Sequence, residues 1–388
     1  MRNPALANTF EDLARLGKEG FYNGRVAQAI VDAVRVNGGH LTLDDLADHM
    51  KMDYEETAPI SLQFSLCTGD NPSQCTKGNA LELWEHAPNG QGIVALMALG
   101  IFQHLQRMDK MPEFGPHDHN SAIYIHALVE SLRIAFADGT WWISDPSLNS
   151  SNTTELLSET YLASRAKLFR GAEAGTYSHG QPSIAHNSCD TVYLAVTDQE
   201  GNGMSFVSSL YGAFGSCIVP PGCGFALQGR GAGFALSPKD HPNLYQGGKR
   251  PYHTIIPAIL TRRDCNGQLE LDTVYGVMGG FMQPQGHLQV LLNMELFGMS
   301  PQEALDAPRF CIGGERMTDI VHIEDGIEDS VAASLSSLGH KIKRVNGWKR
   351  EIFGRGQVIR REIDKDTGIP VFSGGSDMRG DGCAMAVG

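Results

Sequence analysis

Hydrophobic and polar positions divide the chain into a helical first third, a polar middle and a strand-rich second half. Residues 8–17 and 24–37 carry apolar side chains at helical spacing, with Val26, Ile30, Val31 and Val34 in the second stripe. Thr42-Leu-Asp-Asp45 opens a further short helix with a capping-box pattern. The pattern turns strand-like at 59–67 and 79–86. Pro88-Asn-Gly-Gln-Gly92 then breaks the chain ahead of an apolar helix, Ile93–Leu105. Residues 121–137 give the clearest helix, with Ile125, Leu128, Leu132 and Phe136 on one face. Residues 147–190 are polar, and their latter part is expected to be an exposed segment leading up to Thr191.

After residue 190 strand patterns dominate, at 191–197, 203–209, 254–262 and 268–276. The first pair is a hairpin: Val192, Leu194 and Val196 alternate with Tyr193 and Ala195, Asp198–Asn202 turns, and Met204, Phe206 and Ser208 resume the alternation. Asp264-Cys-Asn-Gly267 joins the second pair. One helix follows Gln283-Pro-Gln-Gly286 and runs through His287–Phe297; another begins at Ser300-Pro-Gln-Glu303, with Ser as N-cap, Pro at N1 and Glu at N3. Strands at 357–363 and 383–387 complete the pattern, and no segment repeats. Helices, then strands, then helices, then strands predict an α+β protein of stacked layers rather than a βαβ-wound sheet.

Composition narrows the functions. The 388 residues are 41% apolar and 19% charged, enough for a large core or two domains. A net charge of −13 argues against nucleic acid or an anionic membrane as partner. No run of 18 apolar residues occurs, so no membrane span is expected; the N-terminus lacks the apolar core of a signal peptide, which slightly favours the cytoplasm but leaves the compartment open. The eight cysteines form no C-x-x-C pair and are expected to be thiols rather than zinc ligands or a disulfide framework. His117 and His119 have metal-like spacing but sit in a polar loop, and no metal is expected. Asn149-Ser-Ser and Asn152-Thr-Thr are sequons, relevant only to a secreted chain.

No Gly-x-Ser-x-Gly elbow or phosphate-binding P-loop occurs. Gly229-Arg-Gly231-Ala-Gly233 is superficially like a dinucleotide loop but lacks the strand–loop–helix context. Three other features converge. Thr191 heads a strand after a polar segment; an N-terminal threonine uses its own α-amine as general base, once the Asp190–Thr191 bond is cut. The plainer reading is that threonine favours strands. Gly279-Gly280 ends an apolar strand ahead of a helix, where adjacent glycines either build an oxyanion hole or make a tight turn. Lys249-Arg-Pro-Tyr-His-Thr254 is a cationic approach to a strand, suited to a substrate carboxylate or to a solvated turn.

Together these residues resemble the γ-glutamyltranspeptidase family of N-terminal-nucleophile hydrolases, most closely its amidohydrolase and acylase-like branch. The likeness runs through GFYNGRVAQAIV, PNGQGIVALMALGI, DTVYLAVTDQEGN, GKRPYHTIIPAIL, GVMGGFMQPQGHLQ, MSPQEALDAPRF and GGSDMRGDG, in the family's order and over essentially the whole chain. It implies a four-layer αββα fold and self-cleavage between Asp190 and Thr191. Residues 1–190 would then be a large-subunit-like fragment and 191–388 a small-subunit-like fragment, held as a heterodimer. It makes Thr191 the nucleophile, Ser209 a supporting hydroxyl, and Gly279 and Gly280 the oxyanion hole. It implies cleavage of γ-glutamyl amides, such as glutathione or its conjugates, through an acyl-threonine that passes to water or an acceptor amine, with no cofactor.

Departures qualify this. Gly233 stands at the family's acidic position for the substrate α-amine, and His253-Thr254 replaces a paired serine. Arg230, His253, Thr254 and Tyr211 are therefore expected to line a pocket for a different acyl group. Family precursors carry a segment with core elements and a carboxylate-binding arginine before the point where this chain begins, so the chain reads as N-terminally truncated and its large-subunit-like part as incomplete. The alternatives are an amidase or acylase for a non-glutamyl amide, and a catalytically inactive homologue.

Overall fold

The computed structural model describes residues 2–65, 81–148, 153–177, 190–264, 266–313, 320–364 and 366–387. The chain forms two compact units, residues 1–57 with 209–231, and residues 58–208 with 232–388. Asn149, the 178–189 segment and Cys265, which carried sequence readings above, lie outside the described residues, as does the start of the second sequon.

Four helices build the first unit: α1 (Pro4–Leu16), α2 (Glu19–Tyr22), α3 (Gly24–Val36) and α4 (Leu43–Lys51). The apolar stripe of α3 buries Val26 and Ile30 against Cys223, with Phe21, Phe225 and Leu227 packed around them. Polar bonds close this small core. Thr9 Oγ1 donates to the Cys223 carbonyl at 3.0 Å, and Arg25 pairs with Asp12 at 2.8 Å and bonds the Gly222 carbonyl. The Thr42/Asp45 capping box forms as the sequence predicts.

The second unit centres on a six-stranded antiparallel sheet in the order β1-β2-β5-β6-β10-β11. Its strands are β1 (Ile60–Phe64), β2 (Leu81–Glu85), β5 (Ala258–Arg263), β6 (Leu269–Met278), β10 (Arg355–Ile363) and β11 (Pro370–Ser376). Helices α5 (Gly92–Arg107), α6 (Ala122–Trp142) and α7 (Glu159–Ala166) pack with α8 (Met282–Glu295) on one face. α5 and α6 are buried nearly all round, as their continuous apolar sequences require. The hairpin β3 (Asp190–Thr197) and β4 (Gly203–Tyr211) lies as a second sheet against β6 and β10. α9 (Pro301–Asp306) begins with the predicted Ser300/Glu303 capping box. A small sheet follows, of β7 (Phe310–Gly313), β8 (Ile320–Glu324) and β9 (Lys341–Val345), with α10 (Asp329–Ser337) crossing between the parallel β8 and β9.

This is an α+β architecture. Helices, central sheet and second sheet supply three stacked layers in this unit. The outer face of the second sheet shows Val192, Leu194, Val196, Met204 and Phe206, all exposed among the described residues.

Three element boundaries differ from expectation. Residues 383–387 form no strand; the closing strand is β11, whose Pro and two glycines hid it. Residues 254–257 precede the ladder, because Ile255 N donates to His253 Nδ1 and Ile256 N to Gln283 Oε1. α8 starts at Met282, since a proline in the first turn has no helical acceptor to lose.

Candidate active site

Thr191 is buried at the foot of β3, 6% exposed, on the face that carries Tyr193. That face is pinned to the central sheet. The Tyr193 hydroxyl bonds Ser205 Oγ at 2.8 Å, and Ser205 Oγ donates to the Tyr275 carbonyl at 3.4 Å. The Tyr193 ring lies on Gly276, where any Cβ would come within 2.4 Å of it. The hairpin's larger side chains point the other way because this tyrosine and its glycine seat fill the interface. Of Asp190 the structure describes the backbone alone, as the first residue of β3.

Beyond Gly276, β6 runs into Gly279 and Gly280, with φ of 137° and 58°. Both values lie where side chains are strained. The Gly279 carbonyl accepts from Met282 N at 2.9 Å and the Gly280 carbonyl from Gln283 N at 3.2 Å, so both turn into the first turn of α8. A trans peptide points its N–H opposite to its C=O, which directs the Gly280 N–H away from the helix. Among the described residues no acceptor meets the N–H of either glycine.

Gln91 joins this turn to two other segments. It is fully buried at the N-terminus of α5, a position that favours Ser, Thr, Asp or Asn. Its side chain does not cap the helix. Nε2 donates to the Gly280 carbonyl at 2.9 Å and the Thr254 carbonyl at 2.7 Å, and Oε1 accepts from the Tyr252 hydroxyl at 3.1 Å. Two carbonyls on one side and a hydroxyl donor on the other fix which end is nitrogen. Backbone bonds lock the same junction: Gln91 N donates to the His253 carbonyl and His253 N to the Asn89 carbonyl, each at 2.9 Å. The structure thus brings His253, Thr254 and Gly280 together. Gln91 and Tyr252 escaped the sequence reading; the one signal was a glutamine where a capping residue belongs.

The cations of the Lys249–Thr254 segment have protein partners. Lys249 Nζ donates to the Pro242 carbonyl at 2.5 Å, and Arg250 makes an ion pair with Asp145 at 3.1 Å. Burial works to raise the Asp145 pKa, but hydrogen bonds from Arg250 and Ser147 outweigh it and hold the carboxyl well below its usual range. The Gly233 carbonyl accepts from Asn243 Nδ2 at 2.7 Å, and a Cβ at Gly233 would stand 2.8 Å from the Tyr252 carbonyl. A side chain at 233 has no room. Residues 230–233 form a 3-10 turn, not the strand–loop–helix of a dinucleotide site.

The first unit holds the other three candidates. Ser209 Oγ accepts from Tyr211 N at 2.9 Å, and the Ser209 carbonyl accepts from Gln228 Nε2 at 3.0 Å. The Arg230 guanidinium lies over the Tyr211 ring at 4.7 Å and is 4% exposed. Burial draws the Arg230 pKa down to about 10.

His119 is a packing residue, bonded to Asn293 Oδ1 at 3.1 Å and set edge-on to Phe297. Among the described residues His126, Glu130 and His340 alone cluster at metal-ligand distances. Arg133 bonds two of them, Glu130 at 2.8 Å and His340 Nδ1 at 3.1 Å, so a guanidinium already serves the carboxylate and one imidazole.

Two stacked sheets, with helices packed on the central one, define the class as the N-terminal-nucleophile hydrolase fold. The solved cephalosporin acylase from Bacillus halodurans superposes with a TM-score of 0.78 at 38% identity, covering 97% of this chain and 61% of that one. A glutathione hydrolase-like proenzyme of Bacillus subtilis, YwrD, is 30% identical over 98% of this chain and 65% of its own length. The oxamate amidohydrolase proenzyme of Klebsiella pneumoniae is 30% identical over 99% of this chain and likewise 65% of its own. The chain therefore spans just under two thirds of these curated relatives. The family model described as Gamma-glutamyltranspeptidase matches residues 1–387, and the chain belongs to that family.

Proposed function

We propose that this chain is an autoprocessing amidohydrolase with Thr191 as its nucleophile. Cleavage of the Asp190–Thr191 bond frees the Thr191 α-amine. Oγ attacks the amide carbonyl carbon while the α-amine takes the hydroxyl proton. The Gly279 and Gly280 N–H groups receive the oxyanion. The C–N bond then breaks, the α-amine returns the proton to the leaving amine, and an acyl-threonine ester remains. Water hydrolyses the ester, or an acceptor amine takes the acyl group. The family resemblance adds Ser209 as a supporting hydroxyl, and Arg230, His253, Thr254 and Tyr211 are the residues proposed to line the pocket for the acyl group. No step calls on a cofactor.

The observation that carries this reading is the Gly279–Gly280 turn, with both carbonyls drawn into α8 and two N–H groups left over, at the end of the strand on which Tyr193 of the Thr191 strand is seated. The substrate class follows from position 233. An acidic side chain that would hold a glutamyl α-amine does not fit beneath the Tyr252 carbonyl. This favours a short amide acid over a γ-glutamyl compound, and one relative is named for such an activity. The γ-glutamyl reading remains the second, since other relatives are named glutathione hydrolases.

The test is a denaturing gel with N-terminal sequencing, then hydrolysis of oxamate and of a γ-glutamyl anilide. Two bands, one starting Thr-Val-Tyr-Leu, and ammonium release from oxamate are expected. Thr191→Ala should stay a single band and lose hydrolysis by about 10³-fold or more. An intact wild-type chain with neither activity would mean an inactive homologue.

A further inference from the structure

We infer that Gln91 is a positioning residue for the oxyanion turn, acting through the Gly280 carbonyl. The inference rests on the reading of Gly279–Gly280 as the oxyanion site.

Two glycines with positive φ leave their shared peptide planes little intrinsic restraint. The turn is then only as well ordered as its hydrogen bonds. The Gly279 carbonyl has one bond, from Met282 N, and the Gly280 carbonyl has a longer one, from Gln283 N at 3.2 Å. Gln91 Nε2 supplies the shorter bond to the Gly280 carbonyl, at 2.9 Å, from outside the turn.

Gln91 is itself held on every side. Its second N–H is taken by the Thr254 carbonyl, its oxygen by Tyr252, and its backbone N–H by His253. Gly92 beside it is packed so closely on β2 that a Cβ would meet Glu85 Cβ at 2.7 Å. An anchor this constrained transmits the placement of β2 and α5 to the turn. Oxyanion donors stabilise charge only when fixed before it develops, so losing the anchor should act on the transition state more than on substrate binding.

The experiment compares wild type with Gln91→Met, which keeps length and removes both donors. Two readouts are taken on the processed enzyme. The first is hydrogen exchange by mass spectrometry at residues 279–283, which needs no turnover. The second is kcat and KM on oxamate and the γ-glutamyl anilide. Faster exchange at 279–283, with kcat down about 10- to 100-fold and KM within about threefold, is expected. If Gln91→Met does not fold, Tyr252→Phe removes the bond that orients the amide and should shift exchange in the same direction by less. Unchanged exchange at 279–283 overturns the inference. So does a KM rise with kcat intact. Faster exchange in a protein whose wild type hydrolyses neither substrate would instead keep Gln91 as anchor of the turn and remove the catalytic reading of the turn.

Discussion

A single missing side chain sets the limits at position 233. The Gly233 Cα faces the Tyr252 carbonyl, while its own carbonyl is held by Asn243. Tyr252 in turn holds Gln91. Gly233→Asp would therefore push on the segment ahead of β5 that carries Tyr252, His253 and Thr254. Overpacking of this kind costs roughly 1–3 kcal/mol. The expected outcome is a lower melting temperature with no gain on a γ-glutamyl anilide; a stable variant with improved γ-glutamyl hydrolysis would show that the site wants only an acidic group. Arg230 shows a related economy of space. It sits buried over an aromatic face, and its charge is costly enough there to lower its pKa to about 10.

Between elements, α8 is tied to β2 by a pair of buried titratable groups. His287 Nδ1 and Glu85 Oε1 are 2.8 Å apart and both side chains are fully buried. Burial pushes the Glu85 pKa well above, and the His287 pKa down to about 3, so both are neutral in the fold. Unfolded, the two titrate near about 4.3 and 6.5. Between those values the folded and unfolded pair each bind one proton, and stability is flat. Below about 4.3 the unfolded chain binds the extra proton, so stability falls with acid. Above about 6.5 the folded Glu85 keeps a proton the unfolded chain has released, so stability falls with base by about 1.4 kcal/mol per pH unit. Glu85→Gln keeps a donor for His287 and removes the alkaline limb. Chemical denaturation should show the variant gaining on wild type as the pH rises above about 6.5; parallel curves would mean that Glu85 does not keep its proton in the fold. This coupling was invisible in sequence, where Glu85 and His287 are two ordinary polar residues far apart. What could be read there was local: the stripe of α3, the capping boxes at Thr42 and Ser300, and the β3–β4 alternation. Where long-range bonds decide, as at Ile255, Ile256 and Gln91, pattern alone misplaces a strand start or passes over an anchor.

Across the whole molecule, the proposed cleavage would cut the chain without dividing its core. β1, β2, α5 and α6 precede Thr191, while β5, β6, β10, β11 and α8 follow it. Yet β2 is laddered to β5 from Leu81–Arg262 to Glu85–Ala258 inside one sheet. α5 and α6 contribute to the same apolar cluster as Val277, Leu288 and Leu291. Gln91 and Glu85 reach across to Gly280 and His287. Separating the fragments would expose that cluster and unpair the middle of a sheet, at about 25 cal/mol for each Å² of apolar surface uncovered. The cleaved protein should accordingly elute from a sizing column as one species carrying both fragments, and unfold in denaturant as a single transition in which both are lost together. Fragments that part at ordinary ionic strength would mean that the β2–β5 ladder and the helical layer do not hold them. Because the apolar cluster shared across the cut is buried, and salt screens exposed charges most, raising the salt should leave the fragments associated.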